Sequence, residues 1–240
     1  MESTEAATLF LTEKLIAIAL AYQALEYIQS RKKLSVVFIW PTWFHIVPYF
    51  LLANASLQLF FSHPLLVINS FAAFIFLMVS FRGTYNGGSD YMTALIMTAL
   101  TITQFFPNNL TVVRACLLYI SIQALLSYFI AGLVKLKNSS WRRGKTLSRL
   151  LSADYYSVAP RLKVLAGLPV ACMILSWLMI AFEITFPFSL AKPVVCLLFL
   201  ELGIFFHLGI SYALGLNRFF FAWISSYPAI YYLCLTLQKT

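Results

Sequence analysis

The feature that most constrains this chain is a succession of apolar runs, each about as long as a bilayer is thick, with only short polar breaks between most of them. The runs cover approximately 8–28, 44–62, 64–81, 91–106, 110–136, 163–187, 193–213 and 218–237. An α-helix rises about 1.5 Å per residue, so about 20 apolar residues cross a hydrocarbon layer of ~30 Å. Eight such runs in 240 residues predict an all-α fold, a polytopic membrane helix bundle of about eight transmembrane helices with short loops. A single domain is expected over residues 1–240, with no room for a separate soluble one. Composition agrees: 61% of the residues are hydrophobic and 10% charged, against about 45–50% and about 25% in a soluble domain.

The few charges are unevenly placed. Seventeen Lys and Arg outnumber eight acids, for a net charge of +9. Alternating the loops across a membrane puts thirteen of the seventeen on one side: Arg31, Lys32 and Lys33, then Arg82, the segment from Lys135 to Lys163, and Arg218. Such a bias makes that side cytoplasmic and both termini external. It reads as orientation and lipid-headgroup contact, not nucleic-acid binding, in a multi-pass integral membrane protein, for which a bacterial inner membrane is the expected location. The start, "MESTEAATLF", lacks the basic region of a cleavable signal peptide, so the first helix is expected to direct its own insertion. Cys116, Cys172, Cys196 and Cys234 lie in apolar runs without a CxxC pair, and His45, His63 and His207 are scattered, so no metal site is expected.

Three polar clusters fall on the basic side. In "FRGTYNGGSDYM", Phe81 to Met92, the triplet Asn86-Gly87-Gly88 permits positive φ and close approach of a ligand, with Arg82 and Tyr85 before it and Asp90 as the cap of the next helix. In the fifth run, Gln123, Ser127, Ala131 and Lys135 recur every four residues, which places them along one helical face. Lys135 then has two readings: a lysine snorkelling to the headgroups beside Lys137, Arg142 and Arg143, or a working amine, with Trp141 shaping the loop end. In "FLELGIFFHLGISYALGLN", Glu201 is an intramembrane carboxylate and therefore a candidate functional group. His207 shares a face with Gly203 and Ser211, and Asn217 follows. Glu183, Arg114 and Lys14 read as helix-end groups exposed at the interface.

Two of these stretches resemble a known family. "YFIAGLVKLKNSSWRRG", Tyr128 to Gly144, is similar to a segment of the vitamin K-dependent gamma-carboxylase in its Tyr-Phe-Ile-Ala-Gly start, its Lys-Leu and its later Trp and Gly. "FFHLGISYALGLNRFFFAWISSYP", Phe205 to Pro228, resembles a later helix pair of that enzyme in its Phe-His start and its Ser225-to-Pro228 end. The bacterial relatives are the horizontally transferred transmembrane (HTTM) proteins. The resemblance implies a multi-helix membrane fold that oxygenates a reduced, vitamin K-type quinone, and a carboxylase-like lyase reaction. By that resemblance Lys135 is the base that deprotonates the quinol, and His207 is its hydrogen-bonding companion. Where the family enzyme has a loop histidine, this chain has Gly88, Ser89 and Asp90, and the large protein-binding domain of the family has no counterpart.

The sequence therefore carries two functional expectations. The first is a quinol-dependent enzyme acting on a small peptide or lipid, with Lys135 and His207 catalytic and Arg82, Tyr85, Asn86, Gly87, Gly88, Asp90, Trp141, Glu201 and Asn217 binding. The second is a non-catalytic membrane subunit of the same fold, working through a membrane partner protein in the maturation, export or immunity of a secreted peptide.

Overall fold

Proline and the apolar runs between turns set the helix boundaries. The computed structural model describes residues 3–34, 42–80, 87–153 and 160–239. In these segments the helices are α1 (Ser3–Leu34), α2 (Thr42–Phe60), α3 (Pro64–Ser80), α4 (Gly88–Phe105), α5 (Leu110–Lys137), α6 (Ser139–Arg142), α7 (Lys145–Ser152), α8 (Pro160–Ala166), α9 (Pro169–Thr185), α10 (Pro193–Leu214), α11 (Asn217–Ile224) and α12 (Tyr227–Leu237). No strand occurs among the described residues, so the fold is all-α.

Proline opens α3, α8, α9 and α10, where its missing N–H has no acceptor to lose. Asn109 opens α5 by accepting the Val112 N–H at 3.2 Å. Gly215 closes α10 with φ 70°, a left-handed conformation that favours glycine. Two expected runs are broken. The run at 163–187 splits because Leu168 precedes Pro169 and is held out of the helical region, so α8 ends and α9 begins. The last run splits between α11 and α12, ahead of Pro228.

Five stretches are long and apolar enough to cross a membrane: Thr4–Gln29, Leu110–Lys137, Pro169–Ala191, Pro193–Leu214 and Asn217–Leu237. The third includes a 3-10 turn, Phe186–Ala191, that prolongs α9 where Pro187 interrupts the α-helical bonding. Ile46–Phe60 and Pro64–Ser80 are apolar but shorter.

The chain divides into two compact units. In the first, residues 1–120 with 221–232, α1 packs on α2, α2 on α3, α3 on α4, and α4 returns to α1. Its core is aliphatic, with small residues such as Ala17, Ala19, Ala24 and Ala55 fully or almost fully buried. In the second, residues 121–220 with 233–240, α6, α7 and α8 pack against α9, and the 3-10 turn joins α9 to α10.

Candidate functional site

Helix α5 positions the chemistry of the second unit, by a face other than the expected one. A four-residue recurrence drifts about 40° per step on a helix of 3.6 residues per turn, so Gln123 and Lys135 end about 120° apart. The packed face instead follows Ser121, Ala124, Tyr128 and Gly132. Ser127 turns its hydroxyl back onto the Gln123 carbonyl at 2.7 Å.

Gly132 decides how near α9 can come. A Cβ there would stand 2.7 Å from Ile184 Cγ1 and 2.9 Å from the Ile184 backbone nitrogen, so only glycine permits this approach. One turn further along α5, the Lys135 ammonium donates to both oxygens of Glu183, each at 2.7 Å. The indole of Trp141 lies 5.3 Å from the same ammonium, at cation–π distance. Lys135 thus joins Trp141, as expected, and Glu183 overturns the interfacial role read for it. Glu183 is the fifteenth residue of the apolar stretch Pro169–Ala191, about 21 Å along it. It is 5% exposed. The charge of the lysine is met within the unit, by a carboxylate inside an apolar stretch.

Tyr128, seven residues before Lys135, holds the second polar contact. Its hydroxyl lies 2.6 Å from His207 Nε2, on the buried side of α10. Its ring stacks on Phe186 at 3.8 Å, and Phe206 and Phe219 flank the imidazole at 5.1 and 5.3 Å. His207 is 1% exposed. Tyr128 and Glu183 were the partners that sequence reasoning missed. One looked like another core aromatic and the other like a helix end.

Of the remaining expected residues, Glu201 and Asn217 share this unit and join neither contact. Glu201 is exposed on the outer face of α10, between Leu198 and Leu202, which are both 54% exposed. Asn217 accepts from Ser211 Oγ at 2.7 Å in an exposed position. Arg82, Tyr85 and Asn86 lie outside the described residues. Gly87, Gly88 and Asp90 belong to the first unit. Gly87 has φ −106° and a Cβ on it would meet nothing within 4 Å, so neither positive φ nor close approach explains it. Asp90 does cap α4, taking the Gly87 N–H at 3.2 Å. Fully buried Asp90 also accepts from buried Gln23 at 3.2 Å, a partner 67 residues away. Lys14 and Arg114 are likewise engaged in their unit. Lys14 donates to the Gln58 carbonyl at 2.6 Å, and Arg114 pairs with buried Glu5 at 2.8 Å.

A quinol does not fit these groups as they stand. The Lys135 ammonium is taken by both Glu183 oxygens, the Tyr128 hydroxyl by His207, and the Tyr128 ring face by Phe186. The cysteines are free and buried. No family model matches the chain, and no curated protein and no solved structure matches it.

Proposed function

We propose that the chain is a multi-pass integral membrane protein that acts as a non-catalytic subunit, seating a partner's transmembrane helix on the outer face of α10. Eight crossings follow if α2, α3 and α4, with 19, 17 and 18 residues, join the five longer stretches. At ~1.5 Å per residue they reach about 25–29 Å, enough for a bilayer core with slight thinning. An even number, together with the basic bias, puts both termini outside a bacterial inner membrane.

The observation that carries the reading is Glu201. It stands nine residues into α10, about 12 Å from Pro193. Its neighbours on the exposed face are Leu197, Leu198, Leu202 and Phe205. It has no ion pair or hydrogen bond among the described residues. A carboxylate facing lipid at depth costs about 2.5–3.5 kcal/mol on insertion scales. A partner helix bearing Lys or Arg at that level offsets the cost. Gly209, two turns below Glu201, leaves open space where a backbone could approach. The inward groups, Lys135 with Glu183 and Tyr128 with His207, then serve to lock α5, α9 and α10 together. A role in maturation, export or immunity for a secreted peptide suits such a subunit.

The test is charge swapping. A photocrosslinker at Leu202 identifies the helix seated on α10. Glu201→Lys should abolish the crosslink, and replacing the partner's facing Lys or Arg by Glu should restore it. Loss without restoration would mean that Glu201 serves some other end. The enzyme reading, an HTTM-type or carboxylase-like quinol oxygenase, rests on the sequence resemblance. Quinone epoxide formed by the native chain in nanodiscs and not by Lys135→Ala would establish it over the subunit reading.

A further inference from the structure

A second site lies at the opposite end of α10, where α7 meets the start of α9. Helix α7 is short and strongly two-sided. Its apolar side is already used: Leu151 packs with Cys172 in a small core joined by Leu147, Leu165, Ala166 and Leu214. Its other side is therefore committed to face outward, and that side carries Lys145 and Arg149, both exposed. Arg142 and Arg143 precede them, exposed as well. From Lys137 to Ser152 the chain holds five cations and no acid. Among the described residues none of Arg142, Arg143, Lys145 and Arg149 has a carboxylate partner.

Three of these cations line a recess. A cavity of about 200 Å³ is lined by Arg143, Gly144, Lys145, Ser148, Arg149 and Pro169. It is held rigidly. Gly144 has φ 73°, and a Cβ there would strike the backbone of Cys172 and Met173. Ser148 is bonded to the Ala166 carbonyl at 2.7 Å, tying the floor of the recess to α8. Pro169 is the first residue of the apolar stretch Pro169–Ala191, so where that stretch crosses a bilayer the recess opens at its headgroup end. Directly below it α9 presents an exposed apolar track, Val170 at 63%, Ile174 at 53%, Trp177 at 44% and Leu178 at 61%.

We propose that this recess binds the phosphate of an anionic phospholipid, with the acyl chains lying along Val170, Ile174 and Leu178. Three cations supply the electrostatic attraction and guanidinium groups can grip phosphate oxygens in pairs. The apolar track selects a lipid over a soluble phosphate. The site is independent of the partner face around Glu201.

Native mass spectrometry of the purified full chain in neutral detergent tests it, with phosphatidylglycerol and phosphatidylcholine offered at equal amounts. The native chain should retain phosphatidylglycerol selectively. The variant Arg143→Gln/Lys145→Gln/Arg149→Gln should lose about a hundredfold in retention, roughly fivefold per cation near the surface. A control, Lys137→Gln/Lys192→Gln/Lys239→Gln, removes the same charge elsewhere and should retain the lipid. Equal losses in both variants would mean diffuse attraction and would overturn the site. All six side chains are exposed, so folding is expected to survive and is checked by helix content and melting. Inorganic phosphate and glycerol 3-phosphate form the last arm. If either displaces the lipid at millimolar concentration, the recess is a soluble-phosphate site and the lipid assignment fails.

Discussion

Glu183 and Glu201 stand on consecutive helices of one unit, both inside apolar stretches, and they meet opposite surroundings. Glu183 is 5% exposed and accepts both its bonds from Lys135. Glu201 points outward among leucines with no partner among the described residues. Their difference separates two uses of a charge in a membrane helix. At the α5–α9 contact a charge is met inside the chain and holds helices together. On the outer face of α10 a charge meets no group among the described residues, and the proposed partner helix would meet it.

The largest expected effect tests the inner half of that comparison. Glu183→Leu leaves the half-buried Lys135 ammonium without its carboxylate, and up to about 3 kcal/mol of stability, the lower end of the range for buried pairs, should be lost. Replacing both residues, Lys135→Met with Glu183→Leu, should recover most of it, because no unpaired charge remains. Unfolding in mixed detergent micelles measures both. A single variant as stable as the native chain would show that the pair contributes nothing. Gly132→Ala comes next. The added methyl meets the Ile184 backbone nitrogen at 2.9 Å, which a rotamer change cannot relieve. A loss of about 1–3 kcal/mol is expected, as for overpacking elsewhere. Tyr128→Phe keeps the stack on Phe186 and deletes the bond to His207, so about 1 kcal/mol is expected by the same assay.

How much of this was legible follows from sequence distance. Asp90 as a cap was readable because the N–H it accepts is three residues away. Gln23 was not, because it reaches Asp90 across 67 positions and nothing local marks the pairing. The same holds for Lys135 and Glu183, 48 apart. Their residue types announced unusual charges, but not that each answers the other. Periodicity located the helices, since apolar length is a local property. It misjudged the working face of α5, where a strict four-residue repeat drifts around the helix and Gly132, with no side chain to attract notice, sets the contact. Glu183 was misread as an exposed helix-end group for a related reason. Position within a run says how deep a residue lies along the helix axis, and says nothing about which way around the axis it faces.

The smallest effect on stability belongs to the outer half. Glu201→Leu removes an exposed charge and touches no partner among the described residues. Stability of the isolated protein should therefore shift by no more than about 0.5 kcal/mol in detergent. In a bilayer the same change should favour insertion, since a lipid-facing leucine replaces a carboxylate. On the proposed reading, a cation of the partner helix offsets that cost in lipid. The variant should thus be fully folded yet lose the crosslink from Leu202, a separation that no Lys135 or Glu183 variant can produce. If Glu201→Leu instead destabilises the isolated chain by 2 kcal/mol or more, well beyond the range for exposed sites, the carboxylate has a partner within the chain. The contrast between the two glutamates would then collapse, and the docking face on α10 with it.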